Sequence, residues 1–289
     1  MSKGLAYVFV ILGASLWGIT GLFVQHLYTF GFTPWEVVGI RLSFSTILLA
    51  LFLLGYNRDL FKIKRKDFPY FVGTGVVSIA FFNYCFFTVM EHANLSIAVV
   101  LLYTAPVFVT LMSKFVFKES FTVKKLLALF VVLIGCGFTV GLIPGGNLSI
   151  GYWTLILGIG SGLFYALYSI FGKFVSQRYH VLTITFYSML LGALFVIPTS
   201  ALWKKAEVFT EQSVLIYGVC LALFATVLGY IFYTLGLKYV ESSKASILST
   251  IEPVVAIAVG VIIFGDLLTG WNVIGIVLIL VSVLLTIQR

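Results

Sequence analysis

The chain has 289 residues, 61% of them hydrophobic and 10% charged, with a mean hydropathy of +1.13. That balance excludes a water-soluble globule, because too few polar side chains remain to cover one, and it places the chain in a bilayer. The net charge of +8 calls for no nucleic-acid partner, since lysine and arginine at the ends of apolar runs account for it.

Ten apolar runs approach the roughly 20 residues that cross hydrocarbon. Each must be helical so that its backbone polar groups bond internally. The first, 4–27, follows Lys3 in the manner of a signal peptide, but its length and the nine runs after it make it an uncleaved first helix. It carries Trp17 and a small-residue face at Ala14 and Gly18. The second, 34–56, opens with Pro34 and Glu36, an acid suited to a helix start at the interface. Seven residues in, about 10 Å below the boundary, stands Arg41. Its guanidinium either snorkels outward over apolar surface or faces a cavity and takes a carboxylate, that of Glu252 being one option. The third run, 69–91, brings Asn83 and Tyr84. The fourth, 94–116, brings Tyr103 and Pro106, and the fifth, 123–142, a small pair at Gly137 and Gly141.

The sixth run, 151–176, holds Tyr165, Tyr168 and a small face at Gly158 and Gly162. Its glycine cluster is no nucleotide loop, lacking the last glycine of G-x-G-x-x-G and the lysine of a P-loop. The seventh, 180–202, carries Tyr187; the eighth, 213–239, Tyr230; the ninth, 243–264, Glu252 and Pro253; the tenth is 270–288. Glu252 is nine residues into its run, about 14 Å, which is near the middle of a core about 30 Å thick. An ionised carboxylate there needs a partner, water or a proton. Pro253 donates no backbone hydrogen bond, which frees the Ser249 carbonyl, and Pro106 does the same for Leu102. Both prolines read as helix breaks, with a packing kink as the alternative for Pro106 and a protonated, structural carboxyl as the alternative for Glu252. Trp17, Asn83, Tyr84, Tyr103, Tyr165, Tyr168, Tyr187 and Tyr230 are candidate polar anchors of an apolar pocket, or ordinary interhelical donors.

Pro106 and Pro253 lie 147 residues apart, and the same shift pairs Gly13 with Gly160, Leu101 with Leu248, Phe117 with Phe264, Thr122 with Thr269 and Glu119 with Asp266. Tyr84 and Tyr230 pair at 146. The chain therefore divides into two five-helix halves, 1–143 and 148–289, within one membrane unit. Five is odd, so the second half enters from the opposite face and the repeats are inverted, an arrangement that puts a transport site near mid-membrane between them. Fifteen of the 18 lysines and arginines fall on one side, including the run Arg58 to Lys66, Lys114 to Lys125, and Arg289. This places both termini in the cytoplasm of a multi-pass plasma-membrane protein. The basic run sets topology rather than selecting a membrane lipid. Cys85, Cys136 and Cys220 have no metal-ligand spacing, and His26, His92 and His180 sit at run ends, so neither metal nor cofactor is expected. Without an H-E-x-x-H or a histidine inside a run, an enzyme is not expected either.

Leu16-Trp17-Gly18, Arg41, the spacing of Pro106 to Glu119 and of Pro253 to Asp266, and Ala-Ser-Ile-Leu before Glu252-Pro253 resemble the drug/metabolite transporter superfamily, in particular its EamA-type members. The resemblance covers essentially the whole chain. It implies an all-α fold of ten transmembrane helices as two inverted repeats, a central cavity, and movement of small metabolites, often amino-acid export; other members import choline or exchange nucleotide sugars. Ile19 and Thr20 stand where many relatives carry a small polar pair, so that region gives no substrate. The expectation is a secondary transporter of a small amphipathic metabolite, an amino acid first, with Arg41 for its carboxylate and Glu252 for its amine or for a coupling proton. An organic-cation transporter held by Glu252 and aromatic faces is the alternative, and a non-transporting receptor a further one.

Overall fold

A computed structural model describes residues 1–93, 95–145 and 150–287; the expected end of the tenth run at 288, the half boundary at 148 and Arg289 lie outside the described residues. Ten long helical segments follow in chain order among the described residues: α1 (Lys3–Thr29), α2 (Pro34–Tyr56), α3 (Arg65–His92), α4 (Leu95–Phe117), α5 (Val123–Thr139), α6 (Tyr152–Ser176), α7 (Val181–Ser200), α8 (Gln212–Tyr239), α9 (Ser242–Phe264) and α10 (Gly270–Ile287). Nine of these, among the described residues, have at least 18 residues and the hydropathy to cross a membrane; α5 has 17, the short end of the spanning range. The chain is an all-α membrane protein. Phe115 (78% exposed) and Ile262 (77%) mark outer faces that only lipid can cover.

Local chemistry fixes the helix starts. Thr33 and Glu36 form a reciprocal box around Pro34, with Thr33 N–H donating to Glu36 Oε2 at 2.7 Å and Glu36 N–H to Thr33 Oγ1 at 3.3 Å. Lys205 pairs with the same carboxylate at 2.7 Å. Thr122 caps α5, and Thr269 with Asn272 repeats the reciprocal pattern before α10. Arg178 and Tyr179 both donate to buried Asp67, tying the first turn of α3 to the turn after α6.

Small residues set the close approaches. A Cβ on Gly162 would come within 3.0 Å of the Leu101 carbonyl, and one on Gly158 would collide with the Leu101 side chain, so α4 and α6 meet along the expected face. The pair Gly137 and Gly141 does not act as one. Gly141 lies past the end of α5 at φ +72° with open space around its Cβ position, because the helix stops at Thr139, three residues before the expected end. Three further features were not visible in the hydropathy pattern. A short 3₁₀ helix, Leu202–Thr210, follows α7, and α3 and α8 widen to π-helix over Gly73–Ala80 and Leu221–Leu228.

Candidate functional site

The proline breaks build the centre. In α9 the helix Ser242–Leu248 tightens to 3₁₀ over Ser249–Ile251 and restarts at Glu252. Pro253 then occupies the first turn, where no N–H is needed, and Glu252 sits at the positive end of the restarted segment. The Ser249 carbonyl is not left free, as the sequence led one to expect: the tight turn gives it the Glu252 N–H. In α4 the break falls at Tyr103 and Thr104, and the Thr104 hydroxyl donates back to the Leu101 carbonyl at 2.6 Å. Gly18 of α1 lies against the second break so closely that a Cβ there would stand 2.6 Å from the Glu252 carbonyl oxygen.

On the Tyr165 side of Glu252 the fold assembles an aromatic chamber. Trp17 of α1 packs on Tyr230 and Tyr233 of α8, with ring centroids 5.1 and 4.9 Å away, and on Tyr165 of α6 at 6.1 Å. Tyr168 packs edge-on to Tyr230 at 4.9 Å, and Phe82 closes the α3 side against Tyr165. The space enclosed is about 10 Å³, room for roughly one water, so the chamber is shut around its own side chains. Some hydroxyls are satisfied: Tyr168 with Thr234 at 2.8 Å, Ser169 with Tyr233 at 2.6 Å. Other polar groups are not. Trp17 Nε1 and Arg41 Nε are buried without a hydrogen-bond partner. Such groups are rare in native interiors and ask for an explanation.

Arg41 turns inward rather than snorkelling: its Nε is buried, and its guanidinium lies within electrostatic reach of Glu252 and Tyr230. It forms no ion pair with Glu252 within 4.0 Å, nor with any other acid among the described residues. Tyr103 is buried among Val132, Cys136 and Ile279, within electrostatic reach of Glu252. The structure thus brings together Trp17, Arg41, Tyr103, Tyr165, Tyr168, Tyr230 and Glu252. It does not bring in the other three. Asn83 is buried but donates to the Ile79 carbonyl of its own helix at 2.6 Å. Tyr187 reaches the Phe61 carbonyl at 2.7 Å, near the α2–α3 connection. Tyr84 is 55% exposed and lines an outer groove of about 480 Å³ with Trp35, Phe81, Phe87, Glu91 and Phe195, so the inverted pair of Tyr84 with Tyr230 does not share one chamber. Tyr233 and Ser169 were missed by the sequence reading; the signal was there, since each shares a helix face with, or adjoins, a tyrosine already singled out.

Comparison with known proteins bears on this arrangement. The profile of the EamA-like transporter family matches residues 4–141 and again 152–288. An uncharacterized transporter of Archaeoglobus fulgidus is 30% identical over 96% of this chain and 94% of its own length. The uncharacterized transporter YyaM of Bacillus subtilis is 27% identical over 98% and 93%. The threonine/homoserine exporter RhtA of Escherichia coli is 26% identical over 81% of this chain and 75% of its own. A solved crystal structure superposes with a TM-score of 0.82 over 99% of this chain and 97% of that one, at 15% sequence identity, a likeness of fold.

Proposed function

Because this chain belongs to the EamA-like transporter family of the drug/metabolite transporter superfamily, we propose that it is a secondary transporter of a small zwitterionic metabolite, an amino acid with an apolar side chain, working by alternating access. The observation that carries the reading is the pairing of unlike charges that do not neutralise each other. Arg41 of α2 and Glu252 of α9 come within electrostatic reach of each other without forming an ion pair, and the unpartnered Trp17 donor belongs to the adjoining chamber. A carboxylate bound by the guanidinium fork and an ammonium bound by Glu252 would satisfy both, while the Trp17 and Tyr230 rings take the apolar side chain. RhtA, named as a threonine/homoserine exporter, supports the substrate class. In the same reading Glu252 is also the group that would carry a coupling proton.

The ten spans are read as two inverted five-helix repeats, 1–143 and 148–289, with both termini cytoplasmic. Support comes from irregularities that recur between the halves: the proline breaks, the π-helical stretches of α3 and α8, and the two successive matches to the family profile. A second reading, an organic-cation transporter, is favoured by one feature, a chamber walled by six aromatic rings, one of which, Tyr165, adjoins the Glu252 carboxylate.

A thermal-stability screen of the purified protein against amino acids and quaternary amines separates the readings, since a ligand of the folded state raises its apparent stability. Stabilisation by an amino acid, lost in both Arg41→Ala and Glu252→Gln, is the expected outcome. Stabilisation by quaternary amines alone, kept in Arg41→Ala and lost in Glu252→Gln, would replace the amino-acid reading with the cation one.

A further inference from the structure

The transport chamber leaves unused a cluster of ionised groups at the end of the molecule where α4 joins α5 and α8 joins α9. Glu119 accepts from Ser242 N–H at 2.6 Å, Ser243 N–H at 3.1 Å and the Ser243 hydroxyl at 2.5 Å, so its carboxylate caps the start of α9. Lys125 lies 4.0 Å from Glu119, 2.8 Å from Glu241, and donates to the Ser120 carbonyl at 2.9 Å. From α6, Lys173 donates to the Leu237 and Val240 carbonyls at 2.6 and 2.5 Å. The side chains of Lys125 and Glu119 are only 4% and 8% accessible. Groups from the α4–α5 connection, α5 and α6 therefore close on the single turn between α8 and α9 and on the start of α9.

The 147-residue shift gives this end a twin. Glu119 N–H donates to the Ser113 carbonyl at 3.3 Å, and Asp266 N–H to the Gly260 carbonyl at 3.1 Å, the same bond one repeat later. The preceding residue is left-handed in both, Lys118 at φ 56° and Gly265 at φ 71°. The two backbones are one turn copied, yet the carboxylates behave differently. The Asp266 side chain is exposed, folds back over Gly260, and its carboxylate makes no hydrogen bond or ion pair among the described residues. The positions matching Ser242 and Ser243 are Leu95 and Ser96, at the start of α4, and Ser96 preserves the hydroxyl.

We propose that Glu119 and Asp266 are alternating latches of the two faces of the transporter. In the state described here Glu119 holds Ser242 and Ser243 and closes one end. In the opposite state Glu119 lets go, and Asp266 caps the start of α4 through the N–H groups of Leu95 and Ser96 and the Ser96 hydroxyl. The latches are unequal. Lys125 and Glu241 reinforce the first, whereas their counterparts are Asn272, already engaged with Thr269 and the Thr139 carbonyl, and Asn94. The Glu119-closed state is thereby the favoured one. With the termini cytoplasmic, that is the state shut toward the cytoplasm.

The inference rests on the inverted-repeat transporter reading, and its test is a proximity measurement that needs no substrate. With Cys85, Cys136 and Cys220 replaced by alanine, two cysteine pairs are oxidised in membranes and read by mass spectrometry: Glu119→Cys with Ser243→Cys, and Ser96→Cys with Asp266→Cys. The first pair is expected to cross-link nearly completely and the second slowly. Adding Glu119→Gln to the second pair should speed its cross-linking at least 10-fold. Ser243→Ala, which keeps the whole carboxylate, should act in the same direction by a smaller factor, whereas Glu207→Gln, an exposed acid elsewhere, should leave the rate unchanged. A second pair that cross-links no faster with Glu119→Gln and with Ser243→Ala than without them overturns the latch. If both pairs behave as expected but proteoliposomes move no amino acid or amine, the latch stands and the transport reading falls.

Discussion

The two proline breaks lie 147 residues apart, one in each region matched by the family profile, and carry opposite contents. In α4 the residue before the proline is Ala105, 1% exposed and packed with Val109, Ala166 and Ile170. In α9 it is Glu252, facing Arg41, Tyr165 and Tyr103. Arg41 is unmatched in the same way: its counterpart Ser188 is fully buried and donates to Thr74 at 2.7 Å. Even Gly18, which lets α1 press on the second break, is answered in the other half by Tyr165, a wall of the chamber. The halves therefore share backbone irregularities and differ in charge. A shared break gives two segments able to reorient about the same point, whereas an unsymmetrical ligand can be held only by groups that the symmetry does not repeat.

The comparison can be broken most decisively at Ala105. Ala105→Glu would bury a carboxylate with no cation beside it, and a loss of roughly 3–5 kcal/mol is expected, seen as a large drop in melting temperature in detergent. Retention of wild-type melting would mean that the first break is as polar as the second. Next in size is Glu252→Gln, which keeps shape and removes charge. Flux in proteoliposomes should fall at least about 100-fold, about 2.7 kcal/mol, with the ligand-free melting temperature little changed. Undiminished flux would reduce Glu252 to a packing residue. Gly18→Ala brings a methyl against the Glu252 carbonyl oxygen and Val255, where backbone cannot yield, and should cost about 1–3 kcal/mol on the same melting assay. The smallest effect is expected at Tyr84. Its exposed ring should tolerate Tyr84→Ala within about 0.5 kcal/mol, and a larger loss would return it to the partnership with Tyr230 that the sequence shift implied.

Much of the architecture was legible from residue order. Span limits agree with the apolar runs to within four residues, because hydrocarbon thickness fixes length and unsatisfied backbone fixes helicity. The breaks at Pro106 and Pro253 were legible for a covalent reason, the missing N–H. The fate of the Ser249 carbonyl was not, since whether a freed acceptor stays free depends on how the turn tightens around it. The chamber was read only in part. Tyr165, Tyr168 and Tyr230 converge, but Tyr84 and Tyr187 were equally good candidates by depth. A helix apolar on all sides carries little periodic signal for which face turns inward, so depth is readable and rotation is not.

By itself, then, the sequence determined the solvent, the lengths of the apolar runs, the repeated breaks, and an acid placed deep in an apolar run next to one of them. Those follow from bonds and transfer energies local to each segment. Only the tertiary structure decided that Arg41 turns inward without closing on Glu252, which tyrosines wall the chamber, and that Glu119 is engaged while Asp266 is not. These depend on how helices rotate and close on one another, and in a bilayer that is settled by close packing and by the few polar groups that find each other, not by hydropathy.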